Sequence, residues 1–397
     1  MLSKWKLSVL AVCGVFCSVS GFTAFADTEA ATEAPEEIRS GEYTYYINEE
    51  YGGAVISAYE PDEAEITLPE EIDGNTVVGL ENFLFNNQNG IEKVHIPETL
   101  RHIGASAFFG TNITEFTVDE NNPAYKVEDG VLFSKDGIAL VAYPPSKQDA
   151  SYTVPDGVEE LYHGCFASCD YLYELNLPDS IIYVDTWTFA YTPLKELTIP
   201  DNVTQISSYA CAFMKQLEEV TLSQNLLSID SAAFAGCNQL MNIEFPQTLV
   251  GIGQGAFAGA GMKSVVIPAS VEEIGYCAFG YSSDLETSYS TFTLYGLSGS
   301  AAETYATDTD EEYGYENNFN FIAKSESQLA EMKLDADGNE IRDEAAAEVI
   351  VKTEQDNESS TGDIMKIVLL GLGGIVLCGG IGAVAISSSK NKKKKDN

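Results

Sequence analysis

Met262-Lys263-Ser264-Val265-Val266-Ile267-Pro268, followed shortly by Ile274-Gly275-Tyr276-Cys277-Ala278-Phe279, holds one full unit of a pattern that runs through most of this chain. The first part reads apolar, any, apolar, proline. Val265 and Ile267 alternate with period two, which is how a strand buries one face. The same beat ends at Pro69, Pro97, Pro155, Pro178, Pro200 and Pro246, with Asp119 and Ser223 filling the proline slot of two further units. Three and one residues before the slot stand pairs such as Leu175 and Leu177, Leu197 and Ile199, and Val220 and Leu222. Most successive slots lie 22 or 23 residues apart. A period of that length marks a solenoid, in which each unit buries its core only against its neighbours. The slots predict a β-rich solenoid with a parallel sheet of about nine coils.

A second column accompanies the first. Ala107-Phe108, Cys165-Phe166, Thr188-Phe189, Ala212-Phe213, Ala233-Phe234, Ala256-Phe257 and Ala278-Phe279 recur in register with the proline slot. Five residues before most of these Phe residues lies an aliphatic one, such as Ile229, Ile252 or Ile274, whereas Ile206 is out of step. Small residues beside large rings let coils stack closely, so the rings are expected to form a continuous spine. The unit from 119 to 155 lacks this column. It carries Gly130-Val131-Leu132-Phe133-Ser134, Lys135-Asp136-Gly137 and Ile138-Ala139-Leu140-Val141-Ala142-Tyr143. Two apolar runs around Asp-Gly read as an inserted β-hairpin, expected to project from the stack.

These units resemble the BspA-like bacterial leucine-rich repeat family over about residues 42–322. The resemblance rests on the Pro beat followed by Ile-Gly-x-x-Ala-Phe and on the Asn121-Asn122-Pro123 unit. It also rests on a closing stretch from Tyr295-Gly296-Leu297 to Thr304-Tyr305-Ala306, within an end unit at 295–322. It implies a leucine-rich-repeat solenoid on a surface protein concerned with adhesion or host-protein binding, and it supplies no catalytic residues. In the family the Ala-Phe turn is often followed by Cys; here only Cys169 and Cys237 hold that place.

The two ends read as targeting segments. Lys4 and Lys6 precede an apolar run and Ala24-Phe25-Ala26, the layout of a signal peptide at 1–26. Residues 27–41, with Glu29, Glu33, Glu36 and Glu37, read as an acidic flexible segment. Residues 323–363 are acidic, lack the repeat and read as a stalk. A transmembrane helix is expected at 364–386, where Ile367 to Ile386 carries no charge, followed by a Lys-rich cytoplasmic tail at 387–397. Thr361-Gly362-Asp363 before that span gives an alternative, sortase-type attachment at Thr361, although Glu358 and Ser359 stand where such a signal has Leu and Pro.

A net charge of −40 argues against nucleic acid as a partner. Cys165, Cys169, Cys211, Cys237 and Cys277 follow the repeat and read as buried thiols, with Cys211 and Cys277 assigned one slot. No cofactor or metal is expected, because His95, His102 and His163 accompany no close Cys pair. Asp335-x-Asp337-Gly338-Asn339 opens like a calcium loop but lacks the closing Glu, and reads as a turn.

One surface remains. Alternation turns the residues two and four before the slot away from the core, as ladders on the outer sheet face. Glu174, Asn176, Glu196, Thr198, Glu219 and Thr221 form its most distinctive part. Three like charges in consecutive coils are unfavourable unless a cation or basic partner compensates. The expectation is a non-enzymatic surface protein that binds an extracellular protein or glycan on this face. A glycan-active enzyme and a passive surface scaffold are the alternatives; the nearest aromatic cluster for such an enzyme is Tyr171, Tyr173, Tyr183, Trp187 and Tyr191.

Overall fold

The computed structural model describes residues 35–61, 63–310 and 315–341. The signal peptide, the transmembrane helix and the lysine tail lie outside the described residues. Among the described residues, no helix is long and apolar enough to cross a membrane.

The chain winds into a β-solenoid of about eleven turns with parallel sheets. The strands just before the proline slot stack as one column of rungs, in separately hydrogen-bonded groups. Glu65–Thr67, Lys93–Ile96 and Glu115–Val118 pair in parallel, as do Ser151–Thr153 with Glu174–Asn176 and Glu196–Thr198 with Glu219–Thr221. Ser264–Val266, Thr293–Gly296 and Asn320–Ala323 follow. The last two rungs lie around and within the end unit and have no proline slot, which is why the slot count stops at nine. A second parallel ladder joins Glu160–Leu161 to Tyr183–Val184, and Gln205–Ile206 through Ser228–Ile229 and Gly251–Ile252 to Glu273–Ile274.

Before the first coil, Tyr43–Asn48 and Gly53–Tyr59 form an antiparallel hairpin, and Gly53–Tyr59 then pairs in parallel with Asn75–Leu80. Ile38–Ser40, within the segment expected to be flexible, is a strand paired with Tyr43–Tyr45. Ile38 alternates with Arg39 and sits beside a tyrosine-rich strand, so it gains a partner that composition alone does not reveal.

The inserted hairpin does not project. Val131–Ser134 pairs antiparallel with Tyr125–Glu128 and Ala139–Ala142, and Ala139–Ala142 pairs in parallel with the next coil at Glu160–Leu161. Val131, Leu132 and Leu140 are fully buried. Leu132, Val141 and Ala142 face a core shared with Tyr45, Phe85 and Phe108, whereas Val131, Phe133, Leu140 and Tyr143 face a second core running to Phe319. The insert is therefore a wall between two stacks. Its strands are apolar at successive positions, and such a strand requires cover on both faces.

The aromatic spine also departs from the expected register. Phe85 stacks on Phe108 at 5.8 Å, Phe166 on Phe189 at 6.0 Å, and Phe234, Phe257 and Phe279 follow at 5.2 and 5.0 Å. In the coil between Phe189 and Phe234 the spine position belongs to Cys211, fully buried, whose N–H donates to the Ala233 carbonyl. Phe213 lies two residues further on, half-buried in the left-handed region at φ 60°. Ile206 stands five residues before Cys211, so it is in step after all. Cys211 and Cys277 accordingly do not share a slot: Cys277 occupies a left-handed turn position at φ 54°. All five cysteines described are free and buried, and burial pushes the Cys165, Cys169 and Cys211 thiols well up.

Candidate binding face

On the outer face of the pre-proline ladder, Glu196 pairs across from Glu219 and Thr198 from Thr221, with buried Leu197 and Val220 between them. Glu174 and Asn176 lie on the neighbouring strand, whose register partner is Ser151–Thr153, and Asn176 Nδ2 donates to Thr153 Oγ1 at 3.4 Å. Strand hydrogen bonding is interrupted between Glu174–Asn176 and Glu196–Thr198. The six residues thus share a face, with Glu196 and Glu219 directly paired and Glu174 across a seam. All six are exposed.

Their acidic column carries a lysine elsewhere. In the first stack, Lys93 Nζ lies 3.2 Å from Glu65 and 3.9 Å from Glu115, the same column two rungs apart. The Glu65 hydrogen bond and the charges of Glu65 and Glu115 raise the Lys93 ammonium above its ordinary value. At the other end, Lys333 Nζ reaches Glu244 at 3.1 Å. Among the described residues no ion pair reaches Glu174, Glu196 or Glu219; Lys195 pairs with Glu218 at 3.0 Å instead.

Lys333 belongs to the segment expected to begin the stalk. Residues 324–341 instead lie on the sheet face of the last coils. A short helix at Glu326–Glu331 starts at Ser325, whose hydroxyl accepts from the Gln328 N–H while the Gln328 side chain accepts from the Ser325 N–H. Leu329 and Leu334 bury against Tyr295, with Val266, Leu297 and Met332 around them. Asn242 Nδ2 donates to the Leu334 carbonyl at 3.1 Å, Ser264 Oγ donates to the Gly338 carbonyl at 2.7 Å, and Lys263 pairs with Asp337 at 2.7 Å. A cleft remains between this segment and Asn242, Glu244, Phe245 and Val266. The signal was present: Ser-x-x-Gln opens a helix, and Leu329, Met332 and Leu334 follow at intervals that one face can bury. The rest of the expected stalk lies outside the described residues.

The calcium-like stretch is the turn of this segment. Asp335 accepts from the backbone N–H groups of Asp337 and Asn339, and these donors hold its carboxyl below the ordinary value.

The aromatic residues considered for a glycan cleft do not converge. Tyr171 and Tyr173 are exposed ahead of the Glu174 strand and Tyr183 lies in the second ladder. Trp187 and Tyr191 lie in a turn, where Trp187 stacks on Tyr209 at 4.5 Å and Tyr191 on Phe213 at 5.0 Å. Phe109 packs edge-on against Trp187 and Tyr191 across the small Gly164–Ser168 turn, tying the first stack to the second. Beside it Ser106 Oγ lies 2.8 Å from His163 Nδ1. Burial lowers the His163 pKa. The Ser106 N–H already donates to the His163 carbonyl and the Ala107 N–H to that of Gly104, so the pair reads as a joint.

Two parallel ladders, proline-punctuated coils and a ring-filled spine define a leucine-rich-repeat solenoid whose candidate site is a sheet face rather than a cleft. The chain belongs to the BspA-type leucine-rich repeat family, whose model matches in six copies over residues 65–131 and 150–289, more than half of the 397 residues. Among solved structures it is similar to a leucine-rich repeat protein from Eubacterium ventriosum, at 22% identity and TM-score 0.45, covering 57% of this chain and 66% of that one. It is also similar to the pneumococcal vaccine antigen PcpA, at 16% identity and TM-score 0.42, covering 74% of this chain and 100% of that one. A leucine-rich cell surface protein from Faecalibacterium prausnitzii matches at 21% identity and TM-score 0.34, covering 75% of this chain and 97% of that one. No curated protein matches this chain.

Proposed function

We propose that this is a non-enzymatic bacterial cell-surface protein that binds an extracellular protein or glycan through the outer face of its pre-proline ladder. One observation carries the reading: the chain covers that face with its own residues 324–341 at the last coils and leaves the rungs from Ser151 to Thr221 open. Repeat solenoids bind macromolecules along extended faces of this kind. The Lys4-to-Ala26 stretch supports export. The span at 364–386 supports a single-pass membrane anchor with the repeats outside, and attachment at Thr361 is the alternative.

The test is an array of host proteins and glycans probed with the purified full-length protein in detergent. Saturable binding of one component, lost when Thr198 and Thr221 are replaced by Arg, is the expected result. Silence across the array would favour a passive scaffold, and turnover of any arrayed glycan would overturn the non-enzymatic reading. Mass spectrometry of the mature C-terminus separates the two anchors: an end at Thr361 indicates sortase processing, and retention of Lys392 to Lys395 indicates the membrane span.

A further inference from the structure

Resting on that reading, we infer that the open rungs take a lysine- or arginine-bearing extended polypeptide segment from a partner protein, laid along the face beside residues 324–341. The docked segment shows the pairing rules of this surface. Four residues before the slot, its rungs present hydrogen-bond donors, and each donor takes a backbone carbonyl: Asn242 that of Leu334 and Ser264 that of Gly338. Two residues before the slot, Glu244 takes Lys333, and Val266 packs against the apolar side chains.

The column of Asn242 and Ser264 continues into the open rungs as Glu219, Glu196 and Glu174. There it changes from donor to acceptor. A segment approaching with carbonyls, as residues 334–338 do, would meet only carboxylates from that column. An occupant of the open rungs must bring donors, and positive ones, because Glu196 and Glu219 stand on paired strands about 4.8 Å apart and Glu174 follows across the seam. Thr198, Thr221 and Asn176 alongside offer hydroxyls and an amide to its backbone. The first stack already displays the solution in one piece, with Lys93 between Glu65 and Glu115. The face is continuous with an interface the chain itself makes, and its charge is complementary to one class of occupant.

The probe is a fluorescent oligolysine peptide of about ten residues, titrated against the full-length protein at low and high salt, with oligoglutamate as the opposite-charge control. Because the whole chain is acidic, two triple variants of equal charge are compared. Glu174→Gln, Glu196→Gln and Glu219→Gln together are expected to weaken binding about ten-fold or more. Glu159→Gln, Glu272→Gln and Glu273→Gln, all on or beside the second ladder, are expected to change it less than about two-fold. Equal losses in both variants would mean general charge attraction and would overturn the assignment. Independently of either variant, a photo-crosslinking oligolysine on the unmodified protein should map to residues 151–221, and adducts spread over other faces would overturn it equally. A component captured on the array by this face but indifferent to the first triple variant would remove the basic segment while leaving the binding reading in place.

Discussion

Glu65, Lys93 and Glu115 hold the same column of the outer face as Glu174, Glu196 and Glu219, and the two triplets solve the same electrostatic problem differently. In the first stack the central lysine touches both carboxylates. In the second stack the carboxylates face water without a basic neighbour, although Lys195 is close enough in sequence to have been recruited and pairs with Glu218. The first triplet lies on one continuous three-stranded sheet, and the second is split by the seam before Glu196. Glu196 and Glu219 are nevertheless paired as directly as Lys93 and Glu115, so pairing alone does not require the difference. A solenoid fixes which residues share a column but leaves the column's chemistry free, so an uncompensated column is a property of the surface and of what meets it.

The comparison extends inward, and it can be broken there most forcefully. Phe234→Ala empties a fully buried spine position of the second stack and is expected to cost about 3–5 kcal/mol. Phe213→Ala, at a ring that the Ala-Phe repeat assigns to the same column, should cost far less because that ring is half-buried outside the spine. Equal losses in denaturant melts would restore Phe213 to the spine.

The wall between the stacks gives the next largest effects. Leu132→Ala and Leu140→Ala are each expected to cost about 2–5 kcal/mol, but on opposite sides. Hydrogen exchange should quicken mainly within residues 45–118 for the first and mainly within 158–207 for the second, since repeats communicate chiefly with their neighbours. Identical exchange maps would show that the insert joins the cores instead of separating them.

A third effect is local. Leu334→Ala should loosen residues 326–341 by about 1.5–3 kcal/mol, read as faster exchange and protease cleavage there, with the coils unchanged. Protection that survives the substitution would mean that the polar contacts alone hold the segment.

The smallest expected effect is Glu196→Lys, which recreates the Glu–Lys–Glu order of the first stack. It should raise Tm by about 1–2 °C at low salt and by nothing measurable at high salt. A fall at low salt would mean that the open column is already compensated.

Much of this architecture is legible in the amino-acid sequence, for a definite reason. Proline ends seven of the nine rungs, Asp119 and Ser223 the other two, and alternation marks the buried face, so nine rungs announce themselves. Thr293–Gly296 and Asn320–Ala323 do not, because they close the stack and carry no proline. The spine misleads at one coil because Phe213 is larger than Cys211 and invites the slot, whereas the five-residue interval from Ile206 points to Cys211. The insert reads as a hairpin but not as a wall, since only its two-sided apolarity distinguishes the two. Of the candidate face, the six residues and their exposure follow from periodicity alone. The cover over its far end does not: residues 324–341 resemble a solvated linker in composition, and Leu329 and Leu334 find their partners only once the last coils are built.

That docked segment also sets the load path of the molecule. With the chain held from its C-terminal side, a pull arriving at Ile341 is borne by Glu340 on Lys324, Gly338 on Ser264, Asp337 on Lys263 and Leu334 in its apolar seat. Peeling residues 324–341 free would release about 60 Å of slack at full extension. The coils would meanwhile stay wound, so a tethered particle would feel a give before a break.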